Sequence, residues 1–148
     1  MSYILIKQPN KILSTRCEPV EKITDKTKYI AKRMFQVMYS NRGIGLAANQ
    51  IGSLIRMLII DTIMYENGIR LTLVNPEVES HSEETISEKE GCLSCPGIEK
   101  EVTRWKEITV VGQDLDGETL RLNLNGVSAR VIQQELDHLD GILILDKK

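Results

Sequence analysis

Metal-assisted proton chemistry is suggested by a short run near the end of the chain, QQELDH at residues 133–138. Residues four apart on a helix share a face, so Gln134 and His138 project together, with Glu135 beside them. The zinc-protease motif H-E-x-x-H uses this geometry, in which two imidazoles bind a metal and the glutamate handles the proton. Here the first ligand position holds Gln134. A lone histidine near a helix C-terminus is also commonly a packed or dipole-stabilising residue, so both roles of His138 stay open.

A second run, EGCLSCPG at residues 90–97, places Cys92 in a glycine- and proline-rich turn. Such a turn offers backbone N–H groups that stabilise a thiolate, as a metal ligand or a nucleophile requires. Cys92 and Cys95 also form a C-x-x-C pair, which is half of a zinc knuckle. The other half is missing, because Cys17 is the only further cysteine. The run therefore favours Cys92 as a ligand or nucleophile and Cys95 as a structural residue.

A third run, GIGLAANQ at residues 43–50, has closely spaced glycines followed by Gln50. Glycine lets a backbone approach a ligand closely, and the Gln50 amide offers hydrogen-bond donors. The run is not a dinucleotide-binding fingerprint, because it follows a predicted helix rather than a strand and lacks the G-x-G-x-x-G spacing. Two interpretations remain: a ligand-binding loop, or a helix-to-strand turn with small residues packed inside.

Two amphipathic helices are predicted to position these runs. The first covers 25–41, with Asp25 as its N-cap, and the second covers 127–140, carries QQELDH and ends at Gly141. Strands are predicted between them in two hairpins, with a last strand after the second helix, at 55–60, 69–74, 107–111, 119–124 and 142–145. Strands in the middle and helices at either side favour an α+β fold over alternating βαβ units.

Composition and charge exclude several classes of protein. The 148 residues include 41% hydrophobic and 27% charged side chains, which is typical of a globular chain and argues against disorder. The net charge of −2 leaves no basic excess for a phosphate backbone, so no nucleic-acid partner is expected. No apolar run approaches the roughly 20 residues that span a bilayer, and no secretory signal is evident. The sequence therefore predicts one cytoplasmic domain over 1–148 without a membrane partner.

Together the three runs resemble the motifs of the peptide deformylase family, G-x-G-x-A-A-x-Q, E-G-C-L-S and Q-H-E-x-D-H, in the same order and at similar separation. The first two match at every defined position, and the third departs only at Gln134. The resemblance extends to V-N-P at 74–76, D-x-D-G at 114–117 and H-L-D-G at 138–141. It implies an α+β fold in which mixed or antiparallel β-sheets pack around a central helix carrying the metal motif.

The resemblance implies a metal-dependent hydrolase that removes the formyl group from the N-terminal formyl-methionine of nascent chains. One divalent ion, Fe(II) or Zn(II), would be held by Cys92, His138 and Gln134, which stands where the family has its other imidazole. The ion would acidify a bound water, and Glu135 would take the proton and pass it to the leaving amine.

The resemblance also assigns residues around the substrate. The Leu93 backbone N–H and the Gln50 side chain would stabilise the oxyanion. Five residues would contact the peptide, the last two in the methionine pocket: Gly43, Ile44, Gly45, Ile86 and Val131. Arg104 resembles a family arginine near the cleft, although a solvated surface role fits it equally well.

Gln134 is the departure that decides between two functions. By bond count its Oε1 lies as far from Cα as a histidine Nε2, and both are neutral ligands. An amide oxygen suits hard cations, however, whereas Zn(II) and Fe(II) favour imidazole and thiolate. Weakened deformylation is therefore the expected function. The alternative is a deformylase-fold protein that binds N-terminal peptides without turnover.

The end of the chain bears on its partners. Seven residues follow Gly141, whereas typical bacterial relatives continue into a C-terminal helix that helps them dock on the ribosome. The resemblance is thus to the short, bacteriophage-like form that lacks this helix, and contact with the ribosome is expected to be transient. Formyl-methionyl peptides are the expected partners, in the cytoplasm of a bacterial or phage-infected cell.

Overall fold

The computed structural model describes residues 3–147, which form two α-helices and seven β-strands. The helices are α1 (Asp25–Ser40) and α2 (Gly126–Leu139). The strands are β1 (Gly45–Ala47), β2 (Met57–Asp61), β3 (Arg70–His81), β4 (Thr85–Gly91), β5 (Glu99–Trp105), β6 (Glu107–Gln113) and β7 (Thr119–Asn125). Within residues 3–147, neither helix combines the length and the apolar character that crossing a membrane requires.

Five of the strands form one antiparallel sheet in the order β1-β2-β3-β6-β7. Strand β2 is buried on both faces, because the two helices cover opposite sides of the sheet. Met57 and Ile59 pack toward α1, whereas Leu58 and Ile60 pack toward α2, as the two-residue period of a strand requires. The continuous apolar run is thus a central strand. The predicted α+β fold with antiparallel sheets is confirmed.

Helix α1 covers the predicted segment but begins with a different cap. The Thr24 hydroxyl accepts a hydrogen bond from the Thr27 N–H at 3.4 Å, and the Thr27 hydroxyl accepts one from the Thr24 N–H at 3.1 Å. This reciprocal pair is a capping box, which satisfies two N–H groups that the helix itself leaves unpaired. The prediction of Asp25 as the N-cap is therefore wrong. Asp25 is the first helical residue, where its charge still complements the helix dipole.

A second sheet, the hairpin of β4 and β5, was not predicted from the sequence. Every residue of β4 except Glu90 is exposed, so the strand lacks the alternation that identifies a half-buried strand. Strand β5 buries Val102 and Arg104 at alternate positions, and an arginine in an inward position hides the pattern. The loop between the two strands contains Cys92, so this hairpin fixes where the thiol lies.

The predicted last strand at 142–145 is wrong, because this segment ends instead in a 3-10 turn at Ile144–Asp146. Gly141 has a left-handed conformation, with φ of 78°, and the Ile142 N–H donates to the Asp137 carbonyl at 2.9 Å. This helix-terminating arrangement turns the chain back on itself. Leu143 then packs with Leu13 and Cys95. The apolar run therefore reflects burial in a small cluster rather than pairing in a sheet.

Candidate active site

A cavity of about 730 Å³ lies where β1, the Cys92 loop and helix α2 meet. All three runs identified in the sequence contribute to its wall. Strand β1 is the edge of the five-stranded sheet, so its outer backbone groups face no other strand. The 43–50 run turns from a helix into a strand, as one of the two interpretations predicts, and it also lines the cavity. The ligand-binding interpretation stays a prediction.

Three functional side chains converge in this cavity. Cys92 Sγ lies 3.4 Å from His138 Nε2, although 46 residues separate them in sequence. Glu135 Oε1 lies 3.9 Å from the same nitrogen. Asn49 fixes the backbone under the imidazole by donating to the His138 carbonyl at 2.6 Å. The structure thus brings together the thiol, imidazole and carboxylate that the sequence predicted.

Gln134 lies in the cavity wall with its amide held in one orientation. Its Nε2 donates to the Gly91 carbonyl at 2.9 Å and to Glu90 Oε1 at 3.2 Å. Because both partners are acceptors, the amide nitrogen faces them, and the oxygen Oε1 is the atom left for another ligand. The side chain is thus oriented as a potential oxygen donor.

The donor set fits a divalent ion only when the Gln134 oxygen is included. Within residues 3–147, no three side chains of His, Cys, Asp or Glu converge as a metal site. Cys92 and His138 supply thiolate and imidazole, which suit Zn(II) and Fe(II). Buried Glu135 Oε1 finds no hydrogen-bond partner in this part of the chain, which indicates that a bound group completes the site. The site would therefore offer a metal ion two strong ligands and one weak one.

Burial shifts the pKa of each ionisable group at this centre. It raises the pKa of the Cys92 thiol to about 12, with the nearby Glu135 charge acting in the same direction. It raises the pKa of Glu135 to about 8 and lowers the pKa of His138 to about 4. At neutral pH the metal-free site therefore holds a neutral thiol, a neutral imidazole and a largely protonated carboxyl group. Metal binding must release the thiol proton.

These shifts predict a pH-dependent stability of the metal-free protein. Glu135 has a higher pKa when folded, so its contribution is complete below its ordinary pKa of 4.5 and is lost as the pH rises through about 8. His138 has a lower pKa when folded, so its contribution is complete above 6.5 and is lost as the pH falls through about 4. We expect the stability gain of Glu135→Gln over the unaltered protein to increase between pH 5 and 9.

Urea unfolding in the presence of a chelator measures this effect. The difference in unfolding free energy between the two proteins is expected to grow to on the order of a few kcal/mol at the alkaline end. A difference that stays constant across this range would show that Glu135 does not have the raised pKa.

Gln50 is held rigidly beside the thiol. Its Oε1 accepts from the Ala47 N–H at 2.9 Å, so its Nε2 faces the cavity. Nε2 donates to Ser94 Oγ at 3.0 Å and lies 3.8 Å from Cys92 Sγ. Ser94 in turn donates to the Ile6 carbonyl at 2.7 Å. Gln50 is therefore a preorganised N–H donor, as the sequence predicted, and Ser94 is a supporting residue to which the sequence analysis gave no role.

Gly45 is required by the close approach of β1 to α2. A Cβ at this position would lie 2.5 Å from Val131 Cγ1 and 2.8 Å from Glu135 Oε2. We expect Gly45→Ala to lower the unfolding free energy by about 1–3 kcal/mol through overpacking. It should also lower activity by displacing Glu135, since misplacement by about 1 Å can cost roughly 100-fold.

Chemical denaturation and peptide assays measure the two effects of Gly45→Ala. Gly91→Ala is the matched control, because its added Cβ would meet only the Ile98 carbonyl, at 4.0 Å. Equal loss of stability in both variants would contradict the close-approach explanation.

A cluster of buried ion pairs lies next to the site, and it was not predicted from the sequence. Arg104 donates to both carboxylate oxygens of Glu90, at 2.6 and 2.8 Å, and to Asp137 at 2.8 Å. Arg130 donates to Glu90 at 2.5 Å. Arg104 is 5% exposed, so the solvated surface role left open for it is excluded. The partners lie 14 to 40 residues apart in sequence, and no local pattern marks them.

All but one of the remaining residues predicted to contact the substrate lie in the cavity wall. Gly43, Ile44, Gly45, Leu93 and Val131 line the cavity. Ile86 does not, because it lies on β4 opposite Arg104 and is 38% exposed. Cys95 is buried in a small apolar cluster beside Cys92 and also lines the cavity, so its structural role stays a prediction.

Comparison with known proteins identifies the family of this chain. Residues 3–148 match the model of the family described as polypeptide deformylase. Peptide deformylase from Dictyoglomus thermophilum is 44% identical over 141 residues, which cover 95% of this chain and 89% of that protein. The Aquifex aeolicus enzyme is 41% identical over 145 residues, or 97% of this chain and 85% of the relative.

Solved structures agree over the whole described fold. Peptide deformylase from Ehrlichia chaffeensis in complex with actinonin superposes with a TM-score of 0.94 at 34% identity, covering 100% of this chain and 90% of that one. A probable peptide deformylase from Synechococcus phage S-SSM7 gives 0.92 at 36% identity, covering 99% and 100%. The resemblance predicted from three short runs is confirmed along the chain. The chain belongs to the polypeptide deformylase family.

Proposed function

We propose that this protein hydrolyses the N-formyl group of formyl-methionyl peptides with the help of one divalent metal ion. The observation that carries the proposal is the convergence of Cys92 Sγ, His138 Nε2 and the Glu135 carboxyl group in a cavity beside an edge strand. A thiolate and an imidazole suit a catalytic metal, and a buried carboxyl group suits proton transfer. A single domain spanning 1–148 carries the reaction.

The metal would be held by Cys92, His138 and the Gln134 oxygen. When bound, Fe(II) or Zn(II) supplies Lewis acidity that polarises the formyl oxygen and activates water. The hydrogen bonds from Gln134 Nε2 to Glu90 and Gly91 support this role, because they leave the amide oxygen for the metal. An amide oxygen is the poorest of the three donors, so the ion is held less tightly than by two imidazoles and a thiolate.

The chain's own residues supply proton transfer and oxyanion stabilisation. Glu135 takes the proton of the attacking water and passes it to the leaving amine, a role that its buried position beside His138 Nε2 supports. Gln50 Nε2 and the Leu93 N–H donate to the developing oxyanion. The Leu93 N–H has no acceptor among residues 3–147 and is left for the substrate.

The edge strand binds the peptide. An extended peptide can add to the outer edge of β1 by backbone hydrogen bonds to Ile44 and Gly45, next to Gly43. Val131 lines the same cavity and contributes to the methionine pocket. Formylated nascent chains are the partner, and contact with the ribosome is transient. The protein therefore acts in the cytoplasm of a bacterial or phage-infected cell.

The test is deformylation of formyl-Met-Ala-Ser by anaerobically purified protein, with metal content assayed on the same sample. We expect turnover and about one equivalent of metal. Cys92→Ser should lose both, whereas the matched control Cys17→Ala removes a buried thiol away from the cavity and should keep both. Peptide binding without turnover at full metal occupancy would instead support the alternative, a binding protein without catalysis.

A further inference from the structure

Arg42 is an exposed cation in the cavity wall without a carboxylate partner. None of the ion pairs among residues 3–147 includes it. Asp61 is the last residue of β2, the strand that pairs with the edge strand β1, and its N–H donates to the Ile44 carbonyl. Its carboxylate is already engaged, because it accepts from the Tyr39 hydroxyl at 2.5 Å and lies 3.9 Å from Arg70 Nε.

The other charged groups of the cavity wall are mostly neutralised. Glu90 is paired with Arg104 and Arg130. Glu135 is buried at the catalytic end of the cavity, beside His138. Glu99 is exposed, but it lies on β5 opposite Gly91, on the wall formed by the Cys92 hairpin. Arg42 is therefore the free positive charge on the side of the cavity formed by the edge strand.

The position of Arg42 along the edge strand relates it to the peptide. Gly45 marks the catalytic end, because a Cβ there would lie 2.8 Å from Glu135 Oε2. Arg42 precedes Gly45 by three residues, which is at most about 10 Å of extended chain. A peptide paired with this edge, with its formyl group at Glu135, spans the same distance with about three residues. Its second and third side chains are then the ones within reach of the guanidinium.

We propose that Arg42 is a specificity-determining residue that favours formylated peptides with an acidic side chain at the second or third position. This inference rests on the proposed function for the identity of the peptide. The guanidinium attracts a carboxylate across partly solvated space, and such exposed pairs are weak and screened by salt. The expected preference is therefore about 2- to 5-fold for Asp over its neutral isostere Asn.

The experiment compares kcat/KM for peptides that differ only by Asp or Asn at position two or three of a formyl-Met tripeptide. The unaltered protein should prefer Asp by about 2- to 5-fold at low salt, and the preference should approach 1 in 0.5 M salt. R42E should reverse the preference. K32E is the matched control, because it makes the same change in charge at an exposed position of α1 outside the cavity. Thermal melts verify that each variant is folded.

Binding of the deformylated products Met-Asp-Ser and Met-Asn-Ser, followed by calorimetry, separates this inference from the proposed function. An Asp preference in binding that R42E reverses, without turnover of any formylated peptide, would support the role of Arg42 and reject deformylation. Turnover with equal rates for Asp and Asn would keep deformylation and overturn the role of Arg42. The same shift in K32E as in R42E would also overturn it, and loss of both turnover and binding would reject both proposals.

Discussion

Glu135→Gln is expected to lower kcat for formyl-methionyl peptides by about 10²- to 10⁴-fold, because the amide cannot accept and return the proton. Glu135 is 3% exposed, and its Oε1 has no partner among residues 3–147. It is therefore not held by a structural contact that glutamine would break. Metal content should be unchanged, since the substitution leaves Cys92, His138 and Gln134 in place.

Glu99→Gln is the matched control for this loss of activity. Glu99 lines the same cavity but is exposed, and it lies on β5 opposite Gly91. It should retain activity within a few-fold of the unaltered protein. Steady-state assays with metal analysis on the same samples measure both variants. Residual activity above one tenth in Glu135→Gln would exclude Glu135 as the proton carrier.

Gln134→His is expected to raise the affinity for Zn(II) by at least about 10- to 100-fold, the range seen when only a residue supporting a ligand is changed. The imidazole is a better donor to Zn(II) and Fe(II) than an amide oxygen. A histidine also keeps an N–H that can donate toward Gly91 or Glu90, the present partners of the amide nitrogen. Activity at limiting metal should rise with the affinity.

Competition with a chromophoric chelator measures this affinity independently of turnover. Gln134→Leu is the matched control, since it has similar bulk and no donor atom. It should bind Zn(II) more weakly than the unaltered protein. If Gln134→Leu and the unaltered protein bind equally, the amide is not a ligand. If Gln134→His brings no gain, position 134 does not reach the metal.

Much of the scaffold followed from sequence periodicity. The helical spacing before Gly43 and the continuous or alternating apolar runs at 55–60 and 119–124 have simple periods, and the structure confirms these elements as α1, β2 and β7. The elements that were not predicted, or were predicted wrongly, differ from expectation for physical reasons. Strand β4 is exposed almost throughout, and the run at 142–145 is apolar because it is buried in a side cluster rather than paired in a sheet.

The candidate site, like the fold, was predicted only in part from the sequence. By itself the sequence determined the residue types, because a thiol in a glycine-rich turn and a Glu with a His on one helix face are local patterns that also match the family motifs. Only the tertiary structure decided that Cys92 and His138 lie 3.4 Å apart, that Arg104 is buried against Glu90, and that the Gln134 amide turns its nitrogen to Glu90 and Gly91. These contacts join residues 14 to 46 positions apart. Packing the hairpin and the helix against each other creates them, and no local pattern encodes that distance.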